Sequence, residues 1–248
     1  MLRFDTSAAL AQIASVVVLL VVWAAAAIIV DMRALPAPWL VFGTLGDLIL
    51  SGQAFVPLGE TLGRTLAGFA LGMVLGTGYG IAAALSRTFR ELTLWLLQIS
   101  IFTPTLILIF LFLISLGRSN LTVIVLVGLV VMPVVGTYIR DAMGDFEDEL
   151  TEMADSFKIG LRERVTGMYL PFLVPPLLAA GRVAFTLAWK VAFLSEIFGF
   201  PNGIGWQVKT GYDIYNIQLL LAWLMLFIFV LLIAEQLMRL AQRRFVKW

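Results

Sequence analysis

Five stretches of this chain, Thr6–Val30 and residues 65–86, 92–117, 119–139 and 214–234, contain no Asp, Glu, Lys or Arg. Each is as long as the roughly 20 apolar residues that cross a bilayer core as a helix. A sixth stretch, residues 177–198, is apolar except for Arg182, Lys190 and Glu196. In lipid every backbone polar group must be satisfied within its own segment, so apolar stretches of this length are helices. With 61% hydrophobic and only 13% charged residues, the chain has too little polar surface for a soluble domain of 248 residues. The reading is an all-α integral membrane protein, one domain over 1–248, with spans at about 9–30, 65–86, 92–115, 119–139, 177–198 and 214–235. Lacking Cys and His, the chain has no disulfide, thiolate or imidazole metal ligand, and it lacks the commonest general base. A net charge of +1 leaves no nucleic-acid footprint. No metal site and no catalytic constellation is expected.

Orientation follows the basic residues. With a cytoplasmic N-terminus, the inner side receives Arg3, Arg87, Arg90, Arg140, Lys158, Arg162, Arg164, Arg239, Arg243, Arg244 and Lys247. The outer side then receives only Arg33, Arg64, Arg118 and Lys209. Both termini are therefore expected in the cytoplasm. The first span outruns the roughly 7–15 apolar residues of a signal-peptide core, so it reads as a retained anchor. Between the first two spans, the short apolar run 39–50, interrupted by Gly43, Gly46 and Asp47, is expected to lie in the outer interface.

Within the spans a few residues stand out. Gly68, Gly72, Gly76 and Gly80 recur every fourth position, forming a groove for close helix approach, either inside the bundle or at a subunit interface. Pro104, flanked by Thr103 and Thr105, frees a backbone carbonyl and bends the third span; it marks either a pathway lining or a packing kink. Pro133 invites the same two readings in the fourth span. Arg182 can snorkel toward the inner surface. Lys190 and Glu196 are costly at membrane depth and are candidates for the pathway, although about 120° separates them around the helix. Lys190 is expected to find a structural counter-charge elsewhere or, alternatively, to meet an anionic solute.

The longest polar interruption is 141–171. Here Phe146, Leu150, Met153, Ala154 and Phe157 share one helical face, acids crowd the first turns, and Lys158, Arg162 and Arg164 follow. Such a helix suits a groove on a partner protein or the membrane surface. Glu152, Ala154 and the pair Leu170-Pro171 stand at the spacing of the cytoplasmic loop motif of bacterial ABC importer permeases, Glu-Ala-Ala, three residues, Gly, nine residues, Ile-x-Leu-Pro. Met153 replaces the first Ala, Met168 the Ile, and Lys158 the motif Gly, with a glycine only at Gly160. The chain resembles that family, most closely its nitrate, sulfonate and taurine branch, from about Thr61 to Glu235.

The resemblance implies a type I importer fold and a bacterial inner-membrane location. It also implies coupling to a cytoplasmic ATPase dimer through Leu150, Glu152, Met153, Ala154, Phe157, Lys158, Gly160, Leu170 and Pro171. A second permease subunit, identical or not, and an extracytoplasmic binding protein complete the implied assembly. No Gly-x4-Gly-Lys-Ser/Thr loop is present, so ATP and magnesium are expected on the partner and no cofactor in this chain. The alternatives are a secondary transporter or a channel subunit without an ATPase, for which only Glu196 offers a coupling carboxylate and no internal repeat is evident. Ser195 beside Glu196 is too little for an embedded enzyme, because neighbours on a helix point about 100° apart.

Overall fold

A computed structural model describes residues 6–30, 34–144, 156–157, 160, 163 and 165–245, and the described residues are almost entirely helical. Helix α1 (Thr6–Val30) is followed by the short α2 (Pro38–Leu50), which opens on a proline whose fixed φ suits a first helical turn. Helix α3 (Phe55–Leu85) ends at Ser86, and the Ser86 side chain caps α4 (Arg87–Phe102) by accepting from the Phe89 N–H at 3.2 Å. Helices α5 (Thr105–Leu116) and α6 (Asn120–Gly144) come next. A π-helical turn, Val165–Tyr169, leads into α7 (Leu170–Gly199), and α8 (Ile204–Asp213) and α9 (Ile217–Phe245) complete the chain.

Five helices, α1, α3, α6, α7 and α9, are long and apolar enough to cross a membrane, and a sixth crossing is reached when α4 and α5 count as one. That pair corrects the expectation of a merely bent third span at 92–115: the axes diverge by 96° at Thr103-Pro104. Pro104 lacks the N–H that would continue α4, and it takes up extended backbone as the N-cap of α5. The ends of the other spans also shift. Helix α3 starts ten residues before the charge-free window because Glu60 and Arg64 lie inside it, and α7 starts at Leu170 rather than near 177.

Helix α7 is the centre of the bundle, and three faces of its sequence explain why. Ala180, Ala184, Ala188 and Ala192 recur at four-residue spacing and pack in one core with Val123, Val127, Val131 and Val135 of α6. Phe185, Trp189 and Phe193 belong to a second core with α2 and with Trp223 and Phe227 of α9. There the Trp189 ring stacks on Phe227 at 5.4 Å, and its indole N–H donates to the Phe227 carbonyl at 3.1 Å. The third face, through Val183, Thr186 and Lys190, is at least partly exposed and lines an open cleft shared with α6 and α9.

Helix α1 is the opposite case. Most of its apolar side chains are exposed, and it is tied to the bundle mainly through Trp23, whose indole donates to the Pro36 carbonyl at 3.1 Å and whose ring meets Phe42. An apolar helix open all round is in the environment that hydrocarbon provides.

Candidate functional site

Three features of the bundle bear on function, and the first is the seam between α3 and α6. The glycine stripe of α3 faces α6 so closely that a Cβ on Gly68 would lie 2.6 Å from the Val127 Cβ and 2.9 Å from the Ile124 carbonyl oxygen. Comparable contacts recur at Gly72 with the Gly128 carbonyl (2.9 Å), Gly76 with the Met132 carbonyl (2.7 Å) and Gly80 with the Gly136 carbonyl (2.8 Å). Helix α6 returns the arrangement with its own glycines: Gly128 receives Leu71 and Gly136 receives Tyr79. The stripe thus packs inside the chain.

The second feature is a buried polar cluster where α3, α7 and the start of α8 meet. Glu196 is fully buried and Arg64 is 3% exposed, and the Arg64 Nη1 donates to Glu196 Oε1 at 2.7 Å. The other carboxylate oxygen accepts from the Gly205 backbone N–H at 3.0 Å and lies 2.9 Å from the Thr61 hydroxyl, which itself accepts from the Ile204 N–H. Arg64 also donates through Nε to Asn120 of α6 at 2.8 Å and through Nη2 to the Asn202 side chain, while its guanidinium lies over the Phe200 ring. Asn202 in turn donates to Glu60 at 2.8 Å. All three guanidinium nitrogens and both carboxylate oxygens are engaged by protein, which is what makes a charge tolerable at this depth.

The backbone at 200–205 is built for this contact. Gly203 adopts φ +96°, a left-handed conformation that side-chain-bearing residues avoid, and a Cβ there would collide with the Glu196 carboxyl group. A Cβ on Gly205 would strike the Phe193 carbonyl. Glu196 therefore faces protein and not a cavity, which replaces its assignment to the pathway with a structural one. The charge bias of the sequence puts its partner Arg64 only on the outer flank; its place in the cluster is set by a contact 132 residues away in the chain, which no local pattern records.

The third feature is an open cleft of about 630 Å³ between α6, α7 and α9, lined by Tyr138, Thr186, Lys190, Arg182, Glu235 and Gln242 among others. Arg182 pairs across to Glu235 of α9, and Arg239 reaches the same Glu235 oxygen at 2.7 Å. Both bonds fall on one carboxylate, so Arg182 is braced between helices rather than merely anchored at a surface. Lys190 is exposed in the isolated chain and has no ion pair or hydrogen bond among the described residues, contrary to the expectation of a structural counter-charge. On α7 it stands about 14 Å from the outer end, well inside the bilayer core. A lysine at that depth costs roughly 2.5–3.5 kcal/mol when it faces lipid. The face that carries it is therefore a face for water, solute or protein.

The remaining sequence-based candidates divide by position. Thr103, Pro104 and Thr105 stand at the α4–α5 break, where the Thr103 hydroxyl donates to the Ile99 carbonyl at 2.7 Å; they do not line the Lys190 cleft. Phe157 is 75% exposed, Gly160 is also exposed, and Leu170-Pro171 forms the first turn of α7. Leu150, Glu152, Met153, Ala154 and Lys158 lie outside the described residues.

The same architecture occurs in known proteins. The MetNI methionine ABC transporter, in its inward-facing conformations, contains a chain that superposes with a TM-score of 0.66 at 18% identity, covering 76% of this chain and 94% of that one. In sequence, a Bacillus subtilis (strain 168) protein named as an aliphatic sulfonates transport permease, SsuC, is 26% identical over 220 residues, 89% of this chain and 80% of that protein. A Brucella melitensis biotype 1 protein named as an ABC transporter permease is 24% identical over 218 residues, 86% of this chain and 87% of that protein. The family model described as binding-protein-dependent transport system inner membrane component matches residues 68–247, which hold the glycine stripe, Glu196, the cleft and the C-terminal helix, and the chain belongs to that family.

Proposed function

We propose that this permease resides in a bacterial inner membrane with both termini in the cytoplasm and pairs with a second copy of itself. In this reading it moves a small organic sulfonate or a similar oxyanion delivered by an extracytoplasmic binding protein. The observation that carries the solute class is the 26% identity to SsuC over most of both chains. ATP and magnesium belong to the partner ATPase dimer, and the chain itself performs no chemistry. The secondary-transporter and channel readings draw no support from these relatives.

Force enters through the loop between α6 and α7. Glu152, at the acidic position of the loop motif, and Leu150, on its apolar face, fit an ATPase groove, and Pro171 stiffens the first turn of the helix that follows. Because α7 begins directly after this loop and runs through both cores, displacement of the loop is delivered to the helix that carries Lys190. The test is ATP-driven uptake of ethanesulfonate by proteoliposomes holding the full complex. Glu152→Lys and Leu150→Asp are expected to abolish uptake while the protein still inserts and the ATPase still hydrolyses ATP. Wild-type uptake in both variants, with the ATPase recovered at normal yield, would remove the loop from the coupling role.

A further inference from the structure

The cleft between α6, α7 and α9 carries an asymmetry of charge that the permease reading leaves unused. Its only described carboxylate, Glu235, is already held by Arg182 and by Arg239. Lys190 is left over, a cation with no counter-charge among the described residues, in a cleft whose volume, about 630 Å³, falls in the range of small-molecule sites. Around it the lining is mixed: Val183, Leu187 and Ala179 are apolar, and Tyr138, Thr186 and Gln242 are polar without charge. The Thr186 hydroxyl is engaged by the Arg182 carbonyl at 3.2 Å, so the polar groups free to turn toward an occupant are the Tyr138 phenol, the Gln242 amide and the Lys190 ammonium. Apolar walls, neutral donors and one free ammonium suit a small solute with a short hydrocarbon body and a single anionic head. They repel a cation of the same size.

The placement of these groups on α7 strengthens the point. Val183, Thr186 and Lys190 follow one another at helical spacing along the face that lines the cleft, while Ala184, Ala188, Trp189 and Phe193 fill the other faces. Turn by turn, the helix hides apolar groups in both cores and presents to the cleft its one charge without a partner among the described residues. The cleft runs from Lys190 toward Gln242, near the C-terminal end of α9. Lys190 is thus at the deep end of an opening, where low dielectric makes one charge act most strongly on a passing ion.

We propose that this cleft is an anion-selecting segment of the solute pathway, in which Lys190 admits small organic oxyanions of the sulfonate or carboxylate type and excludes cations. The proposal rests on the permease reading for the word pathway, but its selectivity is measurable without transport.

The natural absence of cysteine makes a direct test available. A single cysteine is placed one turn from Lys190 by Thr186→Cys, and in a second protein two turns away by Val183→Cys. The full-length chain in its assembled complex, in liposomes without ATP, is treated with two methanethiosulfonate reagents of matched size. One carries an ethanesulfonate group and the other a trimethylammonioethyl group. With each rate divided by that of the same reagent at the control position below, which cancels the thiolate's intrinsic preference for the cation, the anionic reagent is expected to react with both cysteines faster than the cationic one, by on the order of tenfold at Thr186→Cys. Adding Lys190→Met should bring the two rates to near parity, and Lys190→Arg should restore the preference. Tyr215→Cys, at a position 91% exposed on the linker before α9, serves as a reactive control with no such preference.

Equal rates with Lys190 intact, or a preference that survives Lys190→Met, overturn the proposal. So does protection of both cysteines while the control reacts, since the face is then covered by lipid or by another subunit. Ethanesulfonate uptake is a separate readout. Its failure with the labelling preference intact overturns the sulfonate solute assignment and leaves the selective cleft standing, whereas uptake that persists without any preference overturns the cleft alone.

Discussion

Glu196 and Lys190 stand less than two turns apart on the same membrane-spanning helix, and the bundle treats them in opposite ways. The carboxylate is fully buried, with an arginine, a backbone N–H and a hydroxyl around it. The ammonium is exposed on a cleft with no counter-charge among the described residues. An intramembrane charge can thus be a fastening or an opening, and the difference is set by which face of the helix the neighbours occupy. Removing each charge separates the two roles.

The largest effect is expected at the fastening. Glu196→Ala leaves Arg64 buried without its counter-charge and should lower stability by about 3–5 kcal/mol, read as thermal unfolding of the detergent-purified protein. The double variant Arg64→Met, Glu196→Met leaves no charge unpaired and should recover part of that loss. Wild-type stability in Glu196→Ala would mean that the cluster holds nothing together, and the contrast with Lys190 would collapse.

A smaller effect comes from the seam that carries Arg64's helix. Gly72→Leu drives a side chain into the Gly128 carbonyl and Val131 of α6, and should cost about 1–3 kcal/mol and promote aggregation on size-exclusion chromatography. Gly78→Leu, on a face of α3 with open space beside it, should elute like the wild type. Equal behaviour of the two variants would show that close α3–α6 contact is dispensable for holding the cluster in place.

The smallest effect is at the opening. Lys190→Met should change stability by no more than about 0.5 kcal/mol, since no described group is abandoned when the charge goes. The sequence alone led to the opposite expectation, because a lysine at membrane depth without a neighbour at helical spacing implies a partner elsewhere in the bundle. A loss as large as that of Glu196→Ala would place an unseen carboxylate against Lys190.

What could be read before any coordinates was the part of the fold written in local periods. Charge-free length marks spans, the four-residue glycine repeat marks a groove, and Pro104 marks a bend. What fills the groove, how sharply the break turns and which charge meets which depend on residues far apart in the chain. Arg64 and Glu196 are one such pair, and Arg182 with Glu235 of the last helix is another. The alanine face of α7 is also a four-residue repeat, Ala180 to Ala192, but alanine in an apolar run carries little contrast in the sequence. The FPNGIG stretch likewise shows its glycines plainly, but that two of them make room around a carboxyl group becomes evident only when the chain is folded.

The α3–α6 seam has a mechanical meaning as well. Two helices in backbone contact at four successive turns cannot slide or roll past one another without first separating, because each carbonyl blocks the next glycine position. They form a strut. In the transport cycle proposed above, a strut of this length concentrates any deformation at the joints around it, namely Ser86, where α3 turns into α4, and Thr103-Pro104, where α4 turns through 96° into α5. Helix α5 is itself seated on that frame, with Ile109 fully buried between α6 and α7 and Leu113 against Gly199, so the less enclosed α4 is the element that the two joints set apart.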